Sequence, residues 1–166
     1  MGINFLSFGS ALPEGVLTND DLSNIVETND EWIYTRTGIK QRHVAITENT
    51  VSLGIAAAEK AIKKAGIDKS EIDLVVCATI TPDTSFPSTA GMVRQNIGLR
   101  DIPALDVCGV ACAGFIYAAS VAQGLMATGG YRTALVLGAE VLSKITDWSD
   151  RSSCILFGDG AGAAVL

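Results

Sequence analysis

Cys112 lies in the run DVCGVACAGFIYAAS (106–120), where a short apolar strand over 103–107 gives way to a small-residue turn and then a long apolar helix. A helix start offers unpaired backbone N–H groups and the positive end of the macrodipole. Both favour a thiolate over a thiol, and the thiolate is the form that attacks carbonyls. Ala111, Ala113 and Gly114 leave a substrate room to approach the sulfur. The same placement also suits a small buried hydrophobe at the head of a core helix, a common fate of free cysteine. A second pattern lies upstream. Trp32 and Arg36 are four residues apart and share one face of a short helix opened by Asn29, Asp30 and Glu31 and stopped by Gly38. An indole beside a guanidinium suits a flat ring carrying a phosphate. A core tryptophan beside a surface arginine is the plainer account.

These residues need elements to hold them. Residues 3–8 (INFLSF) read as a first strand ended by Gly9 and Pro13, and TNDD (18–21) opens a short helix ending near Thr28. GIKQRHVAI (38–46) reads as extended; its His43, the one histidine, has no visible partner for base chemistry and reads as a packed or capping residue. Thr50 caps an amphipathic helix over 51–65, with Leu53, Ala57, Ala61 and Ala65 at helical spacing and Lys60, Lys63 and Lys64 on a solvated face. DLVVCATI (73–80) is a nearly continuous apolar strand, as expected where helices cover both faces of a parallel sheet. Pro87 and Ser88 start a helix ending at Gly98, and Phe86 stands alone in the polar loop before it, as a loop anchor or a substrate-facing wall. Gly129-Gly130 ends the helix after Cys112, residues 133–139 form another buried strand, and residues 140–153 are polar. SCILFGDGAGAAVL (153–166) reads as two apolar runs joined in a hairpin at Gly158-Asp159-Gly160. GDGAG lacks the Lys-Ser/Thr and the following helix of a phosphate loop. Strands alternating with helices imply a mainly parallel sheet with an antiparallel edge.

The totals narrow the class. The 166 residues suffice for one domain, and 48% hydrophobic against 18% charged residues excludes disorder. A formal net charge of −6 argues against a nucleic-acid surface. No unbroken apolar run reaches the ~18 residues of a membrane span, and the N-terminus lacks a basic, then apolar, leader pattern. A cytoplasmic setting follows as the expectation. Four cysteines without a secretion signal are expected to be free thiols, with Cys77 and Cys154 as strand core. Cys108 and Cys112 lie one helical turn apart but lack the partners of a zinc site, so no metal is expected. The chain stops inside an apolar strand with no polar tail, which reads as half of a larger fold.

TNDDL, TNDEWIYTRTGIKQRH (28–43), SFPS, ACAGFIYA around Cys112, Asp150-Arg151 and FGDGAGAAVL occur here in order. Together they resemble 3-oxoacyl-[acyl-carrier-protein] synthase III, the initiating condensing enzyme of fatty-acid synthesis in the thiolase superfamily. The resemblance implies a thiolase-like α/β half-fold: a mixed, mainly parallel five-stranded sheet with helices on both faces. Residues 1–166 would be the N-terminal domain, with the C-terminal half absent from this chain. It implies an acyltransferase in which Cys112 takes an acyl group from acyl-coenzyme A. The acyl group is then condensed with malonyl-acyl carrier protein with loss of CO2. It assigns Trp32 and Arg151 to sandwiching adenine, Thr28 and Arg36 to the nucleotide end, and Phe157 to the acyl pocket. Phe86 would wall the acyl pocket of a partner in a homodimer. The family's catalytic His and Asn belong to the C-terminal half, and His43 matches neither. No cofactor beyond the acyl-coenzyme A substrate is implied. The implied partners are malonyl-acyl carrier protein and a second copy or a separate C-terminal half. Two departures stand out: one residue more than the family usually has between Asp106 and Cys112, and Cys108 as a neighbour. The alternatives are a sister condensing enzyme of polyketide or other secondary metabolism, and a non-catalytic half-domain.

Overall fold

Three strands set the frame: buried β4 (Leu74–Ala78) and β6 (Ala134–Val141) and half-buried β5 (Ala104–Val107) run parallel, with β4 in the middle. The computed structural model describes residues 2–166. β7 (Asp159–Val165) pairs antiparallel with β6, and β1 (Ser7–Ala11) pairs antiparallel with β7, giving the order β1-β7-β6-β4-β5. The sheet is mixed and four of its five strands point the same way, as expected. Its antiparallel strand differs from expectation: β7 lies inside the sheet, and residues 153–166 form no hairpin. The Asp150 carboxylate accepts from the Ser152 N–H at 2.9 Å and starts a one-turn helix, α6 (Arg151–Cys154). That turn sends Cys154 and Ile155 into a satellite core with Leu22 and Ile33. Cys154 is therefore helical core, whereas Cys77 is strand core as expected.

Helices cover both faces. α3 (Thr50–Ala65) packs Leu53, Ala57 and Ala61 on Val75, Leu135 and Leu137, and α4 (Thr89–Asn96) adds Val93 to the same core. The α3 cap is Asn49 rather than Thr50; Thr50 is the first helical residue, buried with its hydroxyl donating to the Thr81 carbonyl at 2.6 Å. A Cβ on Gly9 would sit 2.3 Å from the Ala57 carbonyl oxygen. This close approach carries β1 through Gly9, where a strand end was expected. On the other face, α5 (Gly114–Gly129) lays Ala118 and Ala122 on Leu74, Val76 and Val136. With the 3-10 turn Ala111–Ala113 before it, α5 forms a 19-residue helical stretch, Ala111–Gly129, long and apolar enough to cross a bilayer by length and composition. Counting unbroken apolar residues missed it because Ser120, Gln123 and Thr128 interrupt the run. One side of α5 is sheet core, while Ile116 and Tyr117 point outward, 68% and 55% exposed.

Two short helices and a small second sheet complete the chain. α1 (Asn19–Leu22) is a single turn capped by Thr18, shorter than expected. α2 (Asp30–Thr37) runs from its Asn29 cap to Gly38, as the sequence indicates. They lie between β2 (Val16–Thr18) and β3 (Gln41–His43), which pair antiparallel. Buried Arg42 ties this unit to α6: its guanidinium donates to the Leu17 carbonyl at 3.0 Å, Asn19 Oδ1 at 2.7 Å and the Ile155 carbonyl at 3.4 Å. The His43 Nδ1 lies 2.7 Å from the Pro13 carbonyl oxygen, a packing contact.

Candidate active site

Because β4, β5 and β6 are parallel, their C-terminal ends open on one edge of the sheet, the usual place for a site in an open α/β fold. Cys112 follows β5 there, in the Ala111–Ala113 turn just ahead of α5. Small residues bring it down onto the sheet. A Cβ on Gly114 would stand 2.9 Å from the Ala78 Cβ, so the head of α5 rests directly on the end of β4. Asp106 braces the strand before the turn, accepting from the Thr89 and Ala90 N–H groups at 2.7 and 2.8 Å. Ala111 is left-handed (φ 46°), a conformation that costs an L-residue of this kind about 1–2 kcal/mol. Gly109 is left-handed too (φ 79°). This strained turn presents Cys112 to solvent, so the sulfur is no core residue.

The cysteine borders a cavity of about 450 Å³. Its walls come from all three strand ends: Ile80 after β4, Ala111 after β5, and Glu140 and Leu142 at the end of β6. Ile145 and Phe157 add apolar surface, and Asp147 and Ser153 stand at its polar side. The structure thus brings Cys112 and Phe157 together. A thiol at the lip of an apolar cavity can take an acyl chain into the cavity while its carbonyl carbon meets the sulfur. Ile80, Glu140, Leu142 and Ile145 escaped the sequence reading. Glu140 lies inside β6, but its charge breaks the apolar run TALVLGA and gives it the look of the polar segment after it.

A second cluster gathers around Trp32. The Arg36 guanidinium carbon lies 4.3 Å from the indole centroid and that of Arg151 lies 4.5 Å from it. Arg36 Nη1 donates to the Trp32 carbonyl at 3.3 Å, and Arg151 Nη1 donates to the Glu27 carbonyl at 3.2 Å, next to Thr28. The Thr28 hydroxyl is buried with no hydrogen-bond partner. Arg151 touches the indole directly, so a flat ring enters between them only when Arg151 swings aside. Two exposed cations at an aromatic face make an anion-attracting surface. α6 joins the two places, with Arg151 on the indole and Ser153 on the cavity of Cys112. Phe86 is not brought to either; it projects from the β4–α4 loop, 88% exposed. A second groove of about 560 Å³, walled by Val16, Leu17, Val44, Ile46 and Trp148, includes none of the expected site residues.

The other cysteines differ from Cys112 in setting. Cys77 is fully buried, and burial pushes its thiol well above the ordinary range. Cys108 is exposed, yet desolvation first, and the Asp106 and Glu140 charges next, push its thiol up.

Residues 106–166 match the family model of 3-oxoacyl-[acyl-carrier-protein (ACP)] synthase III. The chain is 53% identical, over 162 residues, to the beta-ketoacyl-[acyl-carrier-protein] synthase III of Ehrlichia canis (strain Jake), a match covering 97% of this chain and 50% of that protein. Its fold superposes on the crystal structure of 3-oxoacyl-[acyl-carrier-protein] synthase III from Aquifex aeolicus VF5 with a TM-score of 0.95 and 46% identity, covering 99% of this chain and 53% of that one. The priming beta-ketosynthase of the R1128 polyketide pathway matches with a TM-score of 0.91 and 38% identity, over 98% of this chain and 48% of its own. The chain spans about half the length of the curated relatives it matches.

Proposed function

The chain belongs to the 3-oxoacyl-[acyl-carrier-protein] synthase III family, and from that footing we propose that it is the N-terminal half of an initiating condensing enzyme of type II fatty-acid synthesis. In this reading Cys112 is the nucleophile. Its thiolate attacks the thioester carbonyl of acyl-coenzyme A, the new S–C bond forms, and the coenzyme A thiolate leaves and takes a proton. The acyl chain rests against Ile80, Leu142 and Phe157. Trp32, Arg36, Arg151 and Thr28 receive the nucleotide end of coenzyme A, with Arg151 turning off the indole to admit the adenine. Backbone N–H groups at the head of α5 take the oxyanion; one such donor is worth about 10²–10³ in rate. Condensation with malonyl-acyl carrier protein, with loss of CO2, needs the His and Asn of the C-terminal half. The reaction uses acyl-coenzyme A as a substrate and calls for no resident cofactor, and its setting is the cytoplasm.

The outward face of α5, with Ile116 and Tyr117, is apolar surface that a partner would cover. We assign it to a separate C-terminal half, with a second copy as the other occupant. In this reading Phe86, which projects 88% exposed from its own chain, would reach a partner's acyl pocket in a homodimer. In this reading the residue in excess of the family spacing before Cys112 is taken up by the turn that holds left-handed Gly109 and Ala111.

The observation that carries the proposal is Cys112 exposed at the lip of an apolar cavity, joined through α6 to the Trp32 cluster. Incubation of the chain with acetyl-coenzyme A, read by intact mass and peptide mapping, is expected to add one acetyl group at Cys112 and none in Cys112→Ser. Absence of label at Cys112 would leave the non-catalytic half-domain as the reading. The match to a polyketide priming synthase supports a second reading, a sister condensing enzyme of secondary metabolism. A panel of acyl-coenzyme A donors separates the two by which acyl group loads fastest.

A further inference from the structure

Glu140 is a carboxylate in a mostly apolar cavity wall, and such a group is costly there unless hydrogen bonds compensate it. It lies at the end of β6 on the face turned to α5, in alternation with Ala134 and Val136 of that core. Its side chain crosses to the segment leaving β4. Oε1 accepts from the Ile80 N–H at 2.8 Å. Oε2 accepts from the Thr81 N–H at 3.1 Å, from the Thr79 hydroxyl at 3.3 Å and from the Thr81 hydroxyl at hydrogen-bond distance. The Thr81 hydroxyl oxygen in turn accepts from the Val141 N–H at 2.9 Å, closing a loop between the two strand ends. Four donors converge on one carboxylate, so it is an acceptor already engaged rather than a group free to move protons.

We propose that Glu140 is a positioning residue that sets the width of the cavity beside Cys112 by clamping residues 79–81 to the end of β6. The proposal rests on the reading of that cavity as the acyl pocket. Ile80, whose N–H the clamp holds, is itself a cavity wall. Downstream the same segment is fixed by Asp83, which accepts from Val51 N–H at 2.8 Å and Thr50 N–H at 3.2 Å at the head of α3. The clamp is therefore the upstream anchor of the loop that ends in Phe86. A glutamine cannot replace it: its NH2 group would face N–H and O–H donors on one side. In Glu140→Gln the segment loses acceptors, Ile80 draws away from Cys112 and the cavity widens.

The test reads the cavity without relying on enzyme turnover. In a Cys108→Ser background, Cys112 is the exposed thiol among the described cysteines. Methyl and hexyl methanethiosulfonates each transfer their alkylthio group to it: the thiolate forms the new S–S bond and methanesulfinate leaves. The ratio of hexyl to methyl rate constants reports cavity width. It is expected to rise about fivefold in Glu140→Gln, the factor one hydrogen bond is worth. Thr81→Val, which keeps the carboxylate but removes one of its donors and the acceptor of the Val141 N–H, should shift the ratio in the same sense by less, and carries the test if Glu140→Gln does not fold. A ratio within twofold of the parent in the folded variants overturns the proposal. A shifted ratio in a chain that no acyl-coenzyme A acylates upholds the clamp and sinks the acyl-transfer reading instead.

Discussion

The seat of α5 on β4 gives a quantitative test of how Cys112 is positioned. Gly114→Ala places a methyl 2.9 Å from the Ala78 Cβ, closer than real Cβ atoms come. Ala78 is a strand residue 4% exposed, with no rotamer to turn away, so the head of the helix must lift. Overpacking of this kind costs about 1–3 kcal/mol. The gain in helix propensity from Gly to Ala, about 1 kcal/mol, offsets part of it. The net expectation is a loss of about 0–2 kcal/mol, or up to ~8 °C in Tm for a chain of this length. Ala78→Gly makes the room that Gly114→Ala needs, while itself costing about 0.5–1 kcal/mol in strand stability. The two substitutions together should therefore be more stable than the sum of their separate effects by about 1 kcal/mol or more. Urea unfolding of the parent, both single variants and the double variant completes the cycle. The lift also moves Cys112, so its rate of alkylation by iodoacetamide should change in Gly114→Ala and return in the double variant. Additivity within about 0.5 kcal/mol, the level expected of independent sites, would refute the contact as the seat of the helix.

Two further outcomes follow from the site. Trp32→Ala removes the face against which Arg36 and Arg151 stand; on the proposed role of that face, base–aromatic stacking of about 1–3 kcal/mol predicts coenzyme A binding weaker by about 5- to 150-fold in calorimetry, and an unchanged Kd would remove Trp32 from the proposal. For Cys108, burial and then the neighbouring carboxylates raise the thiol pKa above its ordinary 9.0, so at a given pH less of it is thiolate. In Cys112→Ser, alkylation of Cys108 by iodoacetamide should still be climbing past pH 9, and a plateau at or below that pH contradicts the assigned environment.

What could be read from the chain alone divides along physical lines. α3 is legible because Leu53, Ala57 and Ala61 repeat at helical spacing, and β4 and β6 because unbroken apolar runs mark strands covered on both faces. Cys112 and the Trp32–Arg36 pair are likewise local patterns, a strand-turn-helix junction and an i, i+4 face. The misread stretch 153–166 shows the limit of such windows. SCILF has the composition of a strand, but the side chain of Asp150 caps a helical turn first. β7 then finds its partners in β6, some 20 residues back, and in β1 at the far end of the chain. Arg151 meets Trp32 across 119 positions, and no property of either neighbourhood announces it. The resemblance to a known family supplied that pairing where spacing could not. The cavity residues were harder still. Ile80, Glu140 and Ile145 look ordinary in their own segments, and become walls of one site only because three parallel strands end on the same edge of the sheet. A carboxylate at the end of an apolar strand run is the one trace such a wall leaves in the sequence: something on a neighbouring strand end must supply its donors, and here Ile80, Thr79 and Thr81 do.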